Sequence, residues 1–276
     1  MYHKASIIRT IRKGLQLYCR GVFIMDHAEE LLPDYLRFVK GLVDSQDLSL
    51  NISREMLQHD HQLKAIASRI EKKILSELTN MLTKERETYE EFWKEFGLNI
   101  KFGVYNNYGM DKDKLQDLFI VLFQQRPKNL LHLNEYVNRM KEDQKDIYFV
   151  SGSDVNLIDK LPIVQTLKKK DYEVLYLTDE VDEFVMQTLM TYREKTFRNA
   201  AQGDLDLDSE EEKQELEKAK EDNKELLKFM KESLHDQVAE VKLSNRLIDD
   251  PVCLTAGEGL SFEMEKSLRI CQRIIQ

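Results

Sequence analysis

Ile147-Tyr-Phe-Val150, followed by Ser151-Gly-Ser-Asp154 and then by Glu173-Val-Leu-Tyr-Leu177, mark the part of the chain where strand and helix signals alternate at short range. Ile147 to Val150 is a continuous apolar run of strand length, the pattern of a strand buried on both faces. Ser151 to Asp154 reads as a turn and an N-cap, because a serine or aspartate oxygen accepts from the unpaired N–H groups of a first helical turn. Val155 to Lys169 then reads as a helix, Glu173 to Leu177 as a second strand, and Asp182 to about Tyr192 as another helix. Strand, helix, strand and helix with links this short form a βαβ unit. A small parallel sheet with a right-handed crossover is expected.

Moving outward, Asp111 to Phe123 and Leu131 to Met140 read as helical. Further upstream, Leu63, Ile66, Ile70, Ile74, Leu78 and Met81 recur every three or four residues and give one long apolar stripe, with Lys72, Lys73, Glu77 and Lys84 on the other face. Tyr89, Phe92, Trp93 and Phe96 fall on one face of a second helix, with Gly97 as its expected end. These aromatics read as core rather than as a stacking platform. Near the start, Leu15 to Ile24 reads as one strand, Ala28 to Leu36 as a short helix broken by Pro33, and Phe38 to Val43 as a second strand. Downstream, Lys224 to Leu234 reads as an amphipathic helix and Val238 to Leu243 as a strand. Leu247 to Leu254 leads towards a last helix near Phe262, opening a domain that the chain is not expected to finish.

Bulk composition agrees with helix-rich α/β. The 276 residues contain 42% hydrophobic and 33% charged side chains but only 10 Gly and 4 Pro, too few turn formers for a sandwich or barrel. Net charge is −9, and the stretch from Asp204 to Glu225 alone holds eleven acids against four lysines. Without a long basic stripe, nucleic acid is not expected as a partner. The first twenty residues carry Lys4, Arg9, Arg12, Lys13 and Arg20 and no acid, a pattern also found in targeting segments, although a cloning scar or an alternative start accounts for it better. Cys19, Cys253 and Cys271 have no metal spacing and point to a reducing, cytoplasmic setting. No apolar run approaches membrane-spanning length.

Self-contained chemistry is hard to assemble. Gly257-Glu-Gly259 lacks the third glycine and the preceding strand of a dinucleotide fingerprint, and no Walker sequence occurs. Ser151 to Asp154 stands between a strand and a helix N-terminus, where an anion can bind and where plain capping serves as well. His59 and His61 lie two apart and point to different helix faces, so they read as surface residues and no metal is expected. No nucleophile set can be built from the remaining histidines.

One loop stands apart. Phe38-Val-Lys-Gly-Leu-Val-Asp-Ser45 is followed by Leu48-Ser-Leu-Asn-Ile-Ser-Arg-Glu-Met-Leu-Gln58, which delivers Arg54 just ahead of a long helix. A guanidinium there suits phosphate or carboxylate oxygens, and a solvated arginine behind a Ser N-cap is the plain alternative. This stretch resembles the middle domain of the heat-shock protein 90 family, in particular its bacterial high-temperature protein G branch. The resemblance extends from about Gly14 to the last residues, through Leu15-Gln-Leu-Tyr18, Gly21-Val-Phe-Ile-Met25, Trp93 with Phe96-Gly97, Glu135-Tyr-Val-Asn-Arg-Met140, Val181-Asp-Glu183 and Arg246-Leu-Ile-Asp-Asp-Pro251. Residues 1–13 fall outside it.

The resemblance implies an α/β fold of αβα layers, small mixed or parallel sheets covered by helices, joined by a long-helix connector, with a partial α+β segment at the C-terminus. Residues 14–202 would be the middle domain, with 14–58 in its large αβα layer, 59–109 its helical connector and 110–202 its small αβα layer. Residues 203–225 would be an acidic connector, and 226–276 the start of a C-terminal domain. The implied function is that of a piece of an ATP-dependent molecular chaperone that binds unfolded or partly folded clients. Arg54 matches the arginine that reaches the ATP γ-phosphate, Asn51 and Gln58 match its polar neighbours, and Phe184 and Gln187 match client-binding positions. ATP and Mg2+ would be held by an N-terminal domain of the parent protein, and the parent would be a homodimer. The segment alone would bind no cofactor tightly and hydrolyse no ATP. A non-catalytic scaffold using its helices and acidic connector is the competing reading, and a small α/β enzyme working at Ser151 to Asp154 a third.

Overall fold

A computed structural model describes residues 14–46, 48, 61–106, 108–123, 130–203, 205, 210–244, 247, 251–257 and 259–266. The chain divides into two compact units. The first comprises Met1–Leu122, Arg126–Arg139 and Val181–Phe197, and the second Phe123–Gln125, Met140–Glu180 and Arg198–Gln276.

The first unit begins with β1 (Leu15–Cys19) and β2 (Val22–Ala28), two antiparallel strands where the sequence predicts one. Arg20 (φ 52°) and Gly21 (φ 76°) both lie in the left-handed region, the signature of a two-residue hairpin turn that matches strand twist. β3 (Leu42–Ser45) runs parallel to β1 on its other side, so β1 is central and buries Leu15, Leu17 and Cys19. The expected strand from Phe38 is displaced towards the C-terminus. Phe38 instead stacks on Phe96 at 4.7 Å and meets Phe92 edge-on at 5.4 Å, and ring packing takes it out of the ladder. The expected helix from Ala28 is two 3-10 turns, Glu29–Leu31 and Asp34–Leu36, separated by Pro33.

Helix α1 (His61–Lys84) carries the predicted stripe in part: Leu63 and Leu78 are buried, Ile66, Ile70, Ile74 and Met81 half-buried, and Leu82, outside the stripe, is buried as well. Helix α2 (Arg86–Asn106) does not stop at Gly97. A Cβ at Gly97 would lie 2.8 Å from the Trp93 indole, so the glycine makes room for a ring rather than ending a helix. Gly103 does the same for Tyr35, whose Cβ would be 2.7 Å away, and the helix packs directly on the Asp34–Leu36 turn. The Tyr35 hydroxyl hydrogen-bonds Glu71 of α1, and Lys114 binds that carboxylate at 2.8 Å and Asp111 at 2.9 Å. Asp111 to Phe123 is only briefly helical, at α3 (Lys112–Leu115), before β4 (Ile120–Phe123). β4 pairs antiparallel with β5 (Leu130–His132), and α4 (Leu133–Arg139) follows.

The second unit contains β6 (Asp146–Ser151) and β7 (Leu175–Leu177), paired in parallel as expected, with Phe149 opposite Leu175 and Ser151 opposite Leu177. The connecting helix is split into α5 (Val155–Asp159) and α6 (Pro162–Lys169), because Pro162 starts a new helix more readily than it continues one. Back in the first unit, α7 (Asp182–Leu189) ends earlier than predicted, at Met190 (φ 62°), and β8 (Thr191–Tyr192) pairs with β9 (Lys195–Asn199).

In the second unit, α8 (Glu210–Asp222) and α9 (Lys224–Ser233) follow, and α9 buries none of its residues. Val238 to Leu243 forms no strand; a 3-10 turn, His235–Gln237, leads into irregular chain with no ladder partner among the described residues. Gln202 bridges to Ala256 and donates to the Gly259 carbonyl at 3.2 Å.

Candidate functional site

The tip of the β1–β2 hairpin holds the exit of β3. The Cys19 thiol donates to the Leu48 carbonyl at 2.9 Å, the Arg20 backbone N–H to Ser45 O at 3.3 Å, and Arg20 Nε to Gln46 O at 3.1 Å. The Gly21 N–H lies 3.2 and 3.1 Å from the two carboxylate oxygens of Asp44. Leu48 is buried at 4% exposure. The segment that follows starts from a point anchored at its acceptors, one after another. Asn51, Arg54 and Gln58 lie outside the described residues, and the chain is next described at His61, an exposed residue opening α1.

Phe184 and Gln187 both lie on α7, where Asp182, Glu183, Val185, Met186 and Leu189 are buried. Phe184 is half-buried and meets Tyr105 edge-on at 5.8 Å, and Gln187 is exposed. Residues that the sequence does not single out surround them. Tyr105, Tyr108, Met110 and Met190 are 45%, 95%, 78% and 62% exposed, and a Cβ on Gly109 would sit 3.1 Å from the Thr188 methyl. The turn at 108–110 therefore packs on α7, and large exposed apolar side chains stand on that turn, near the end of α2 and just after α7. Large exposed apolar side chains gathered in this way mark interaction surfaces more often than scattered single ones do. Composition offered one signal for it, a Tyr-Gly-Met turn sequence after a helix, where polar residues are the rule.

A buried ion pair fixes α7 to α2. Lys101 Nζ is 2.5 Å from Asp182 Oδ1, the two side chains are 6% and 4% exposed, and the ammonium also lies 5.9 Å from the Trp93 ring centre. The lone tryptophan therefore reports on the element that presents Phe184.

The turn at Ser151 to Asp154 is occupied by its own cap. Asp154 Oδ1 accepts from Asn156 N at 2.7 Å and Leu157 N at 3.3 Å, and the Gly152 N–H goes to Leu177 O at 3.0 Å. Three of the N–H donors around this five-residue helix, those of Gly152, Asn156 and Leu157, are thus already used. Among the described residues no group of three His, Cys, Asp or Glu is placed to hold a metal ion, and no helix is long and apolar enough to cross a membrane.

The family model described as Hsp90 protein matches residues 3–273, and so takes in most of the first thirteen residues, which lie outside the resemblance read from the sequence alone. The chain belongs to the Hsp90 family. Its relatives are of HtpG type: it is 52% identical over 258 residues to Chaperone protein HtpG of Oceanobacillus iheyensis, covering 94% of this chain and 41% of that one. Against Chaperone protein HtpG of Bacillus subtilis it is 50% identical over 256 residues (93% and 41%), and against that of Clostridium acetobutylicum 50% over 262 (95% and 42%). The chain thus spans about two fifths of the length of these relatives.

Proposed function

We propose that this chain is the client-binding and arginine-donating part of an ATP-dependent chaperone. The observation that carries the reading is identity of 50–52% to HtpG chaperones along nearly the whole chain. Within it, Arg54 reaches the γ-phosphate of an ATP held with Mg2+ by an N-terminal domain of the same protein, and Asn51 and Gln58 line the same loop. A guanidinium delivered there counters charge that develops on the phosphoryl oxygens during transfer to water, and its planar fork matches them. The exposed face around Phe184 and Gln187 is where partly folded client protein docks. The parent protein works as a homodimer in the cytoplasm.

The test is ATP turnover by a full-length HtpG-type protein carrying this segment. Arg54→Ala is expected to lower turnover steeply, towards the about 10³- to 10⁵-fold seen for arginines supplied to other phosphoryl-transfer sites, with nucleotide affinity nearly unchanged. Wild-type turnover in the folded variant would overturn the assignment. For the isolated chain, calorimetric titration with ATP and Mg2+ is expected to show no tight binding, since no phosphate cradle is encoded in it. A micromolar dissociation constant would contradict that.

A further inference from the structure

We infer that Asp44 and Cys19 are positioning residues for the ATPase step, holding the point from which the Arg54 segment leaves the sheet; this rests on the reading of Arg54 above. The parallel register of β1 and β3 ends at Cys19 opposite Ser45, and β1 then turns back through Arg20 and Gly21. A hairpin tip would ordinarily leave its N–H groups to water. Here the donors of three consecutive residues are directed at the end of β3 and the chain just beyond it: Cys19 Sγ to Leu48 O, Arg20 N and Nε to Ser45 O and Gln46 O, and Gly21 N to the Asp44 carboxylate.

Asp44 is the centre of this clamp, because it supplies the side-chain acceptor of the set and both of its oxygens face the Gly21 N–H. Gly21 serves through its backbone: a Cβ there would touch nothing within 4 Å, so only its φ of 76° calls for glycine. Cys19 holds the far end, reaching past the ladder to a carbonyl three residues beyond its register partner. The last two residues of β3 are thereby tied, as are 46 and 48 in the chain leaving it, and Arg54 follows six residues later. Loosening the anchor lets the guanidinium miss its target without changing any group that binds nucleotide.

The experiment measures kcat, KM and nucleotide affinity in a full-length HtpG-type protein carrying this segment, for Asp44→Ala, Asp44→Asn, Cys19→Ala, Cys19→Ser, Arg54→Ala and the double variant Asp44→Ala/Arg54→Ala. Asp44→Ala is expected to lower kcat by about tenfold or more, as a small misplacement of a catalytic group does, with KM and affinity within about twofold of wild type. Asn, which keeps an acceptor, restores part of the rate. Cys19→Ala lowers kcat less, and Ser, which keeps a donor, recovers it. The double variant is expected to be no slower than Arg54→Ala, since an anchor has nothing to position once the arginine is gone. Wild-type kcat in Asp44→Ala and Cys19→Ala beside an impaired Arg54→Ala would overturn the positioning role alone. Losses that multiply in the double variant would also overturn it, showing a merely structural effect. Wild-type kcat in Arg54→Ala would instead overturn the underlying assignment of Arg54. Should Asp44→Ala fail to fold, the Cys19 pair decides by the same comparison.

Discussion

Lys101 and Asp182 form an ion pair 2.5 Å long with both side chains almost wholly out of water. Removing water from two charges is costly, so the pair adds little net stability, whereas leaving one partner alone in the interior is severe. Lys101→Met is expected to destabilise the chain by about 3–5 kcal/mol. The double change Lys101→Met/Asp182→Leu should recover most of that loss. Urea unfolding followed by the fluorescence of Trp93, whose ring lies 5.9 Å from the ammonium, provides the measurement. A single variant as stable as wild type would show that the pair is not sealed from solvent.

Gly97 provides a test of sign. In an exposed helix interior, replacing Gly by Ala stabilises by about 1 kcal/mol. At Gly97 the new Cβ would press into the Trp93 ring at 2.8 Å, so Gly97→Ala is expected instead to cost about 1–3 kcal/mol. A rise in melting temperature would mean that the indole can move aside freely.

The long elements were legible because periodicity is a property of many residues at once: the α1 stripe and the β6–β7 unit both appear where expected. What escaped detection was punctuation. The β1–β2 turn has no Asn-Gly or Asp-Gly, only Arg20-Gly21 inside an apolar run, and so read as one strand. Ile120 to Phe123 is a short apolar run, in which helix and strand cannot be told apart by period. β8 and β9 follow a helix with no glycine or proline between, since Met190 takes the left-handed conformation itself. Val238 to Leu243 has strand composition without a ladder partner among the described residues, and composition alone makes no sheet.

The candidate sites were legible to different degrees for a related reason. Arg54, Asn51 and Gln58 stand out only through resemblance, since a Ser-Arg pair before a helix is ordinary. The clamp at Asp44 is built largely from backbone groups, which leave no mark in a sequence. Tyr105 and Phe184 are far apart along the chain, and only tertiary structure creates their contact.

Stability should fall at both ends of the pH scale, for separate reasons. Burial opposes ionisation of Asp159, but hydrogen bonds from Lys168 at 2.7 Å and Tyr176 at 2.5 Å, with the lysine's charge, outweigh it and hold its pKa below the ordinary value. Its contribution is therefore present above the unfolded carboxylate pKa of about 4 and lost as pH falls through the lower folded value. Tyr172 is shifted the other way, raised to about 12 first by burial and then by its hydrogen bond to Asp143. Its contribution is present below the unfolded phenol pKa of about 10 and disappears as pH rises through the folded value. Denaturation midpoints of wild type against Tyr172→Phe are expected to differ at neutral pH and converge in alkali, and those of wild type against Asp159→Asn to converge in acid. A difference independent of pH in either pair would reject that group's role.

The exposed face around α7 yields the most direct functional prediction. Phe184 is half-buried against Tyr105, while Tyr108, Met110 and Met190 stand largely in solvent, so a partner could remove all of them from water. Burying one such side chain contributes about 1.5–3 kcal/mol, which corresponds to roughly tenfold or more in affinity. Met110→Ser and Met190→Ser, both at exposed positions, are expected to leave the fold intact and to weaken binding of a partly unfolded test protein by about that factor each. Phe184→Ala should do the same at some cost in stability, because its ring also packs inward. Gln187→Ala, which removes no apolar surface, should matter less. Fluorescence anisotropy with a labelled, permanently unfolded protein measures the affinities, and thermal unfolding of each variant controls for folding. Unchanged affinity in a folded Met110→Ser/Met190→Ser double variant would move client contact away from this face.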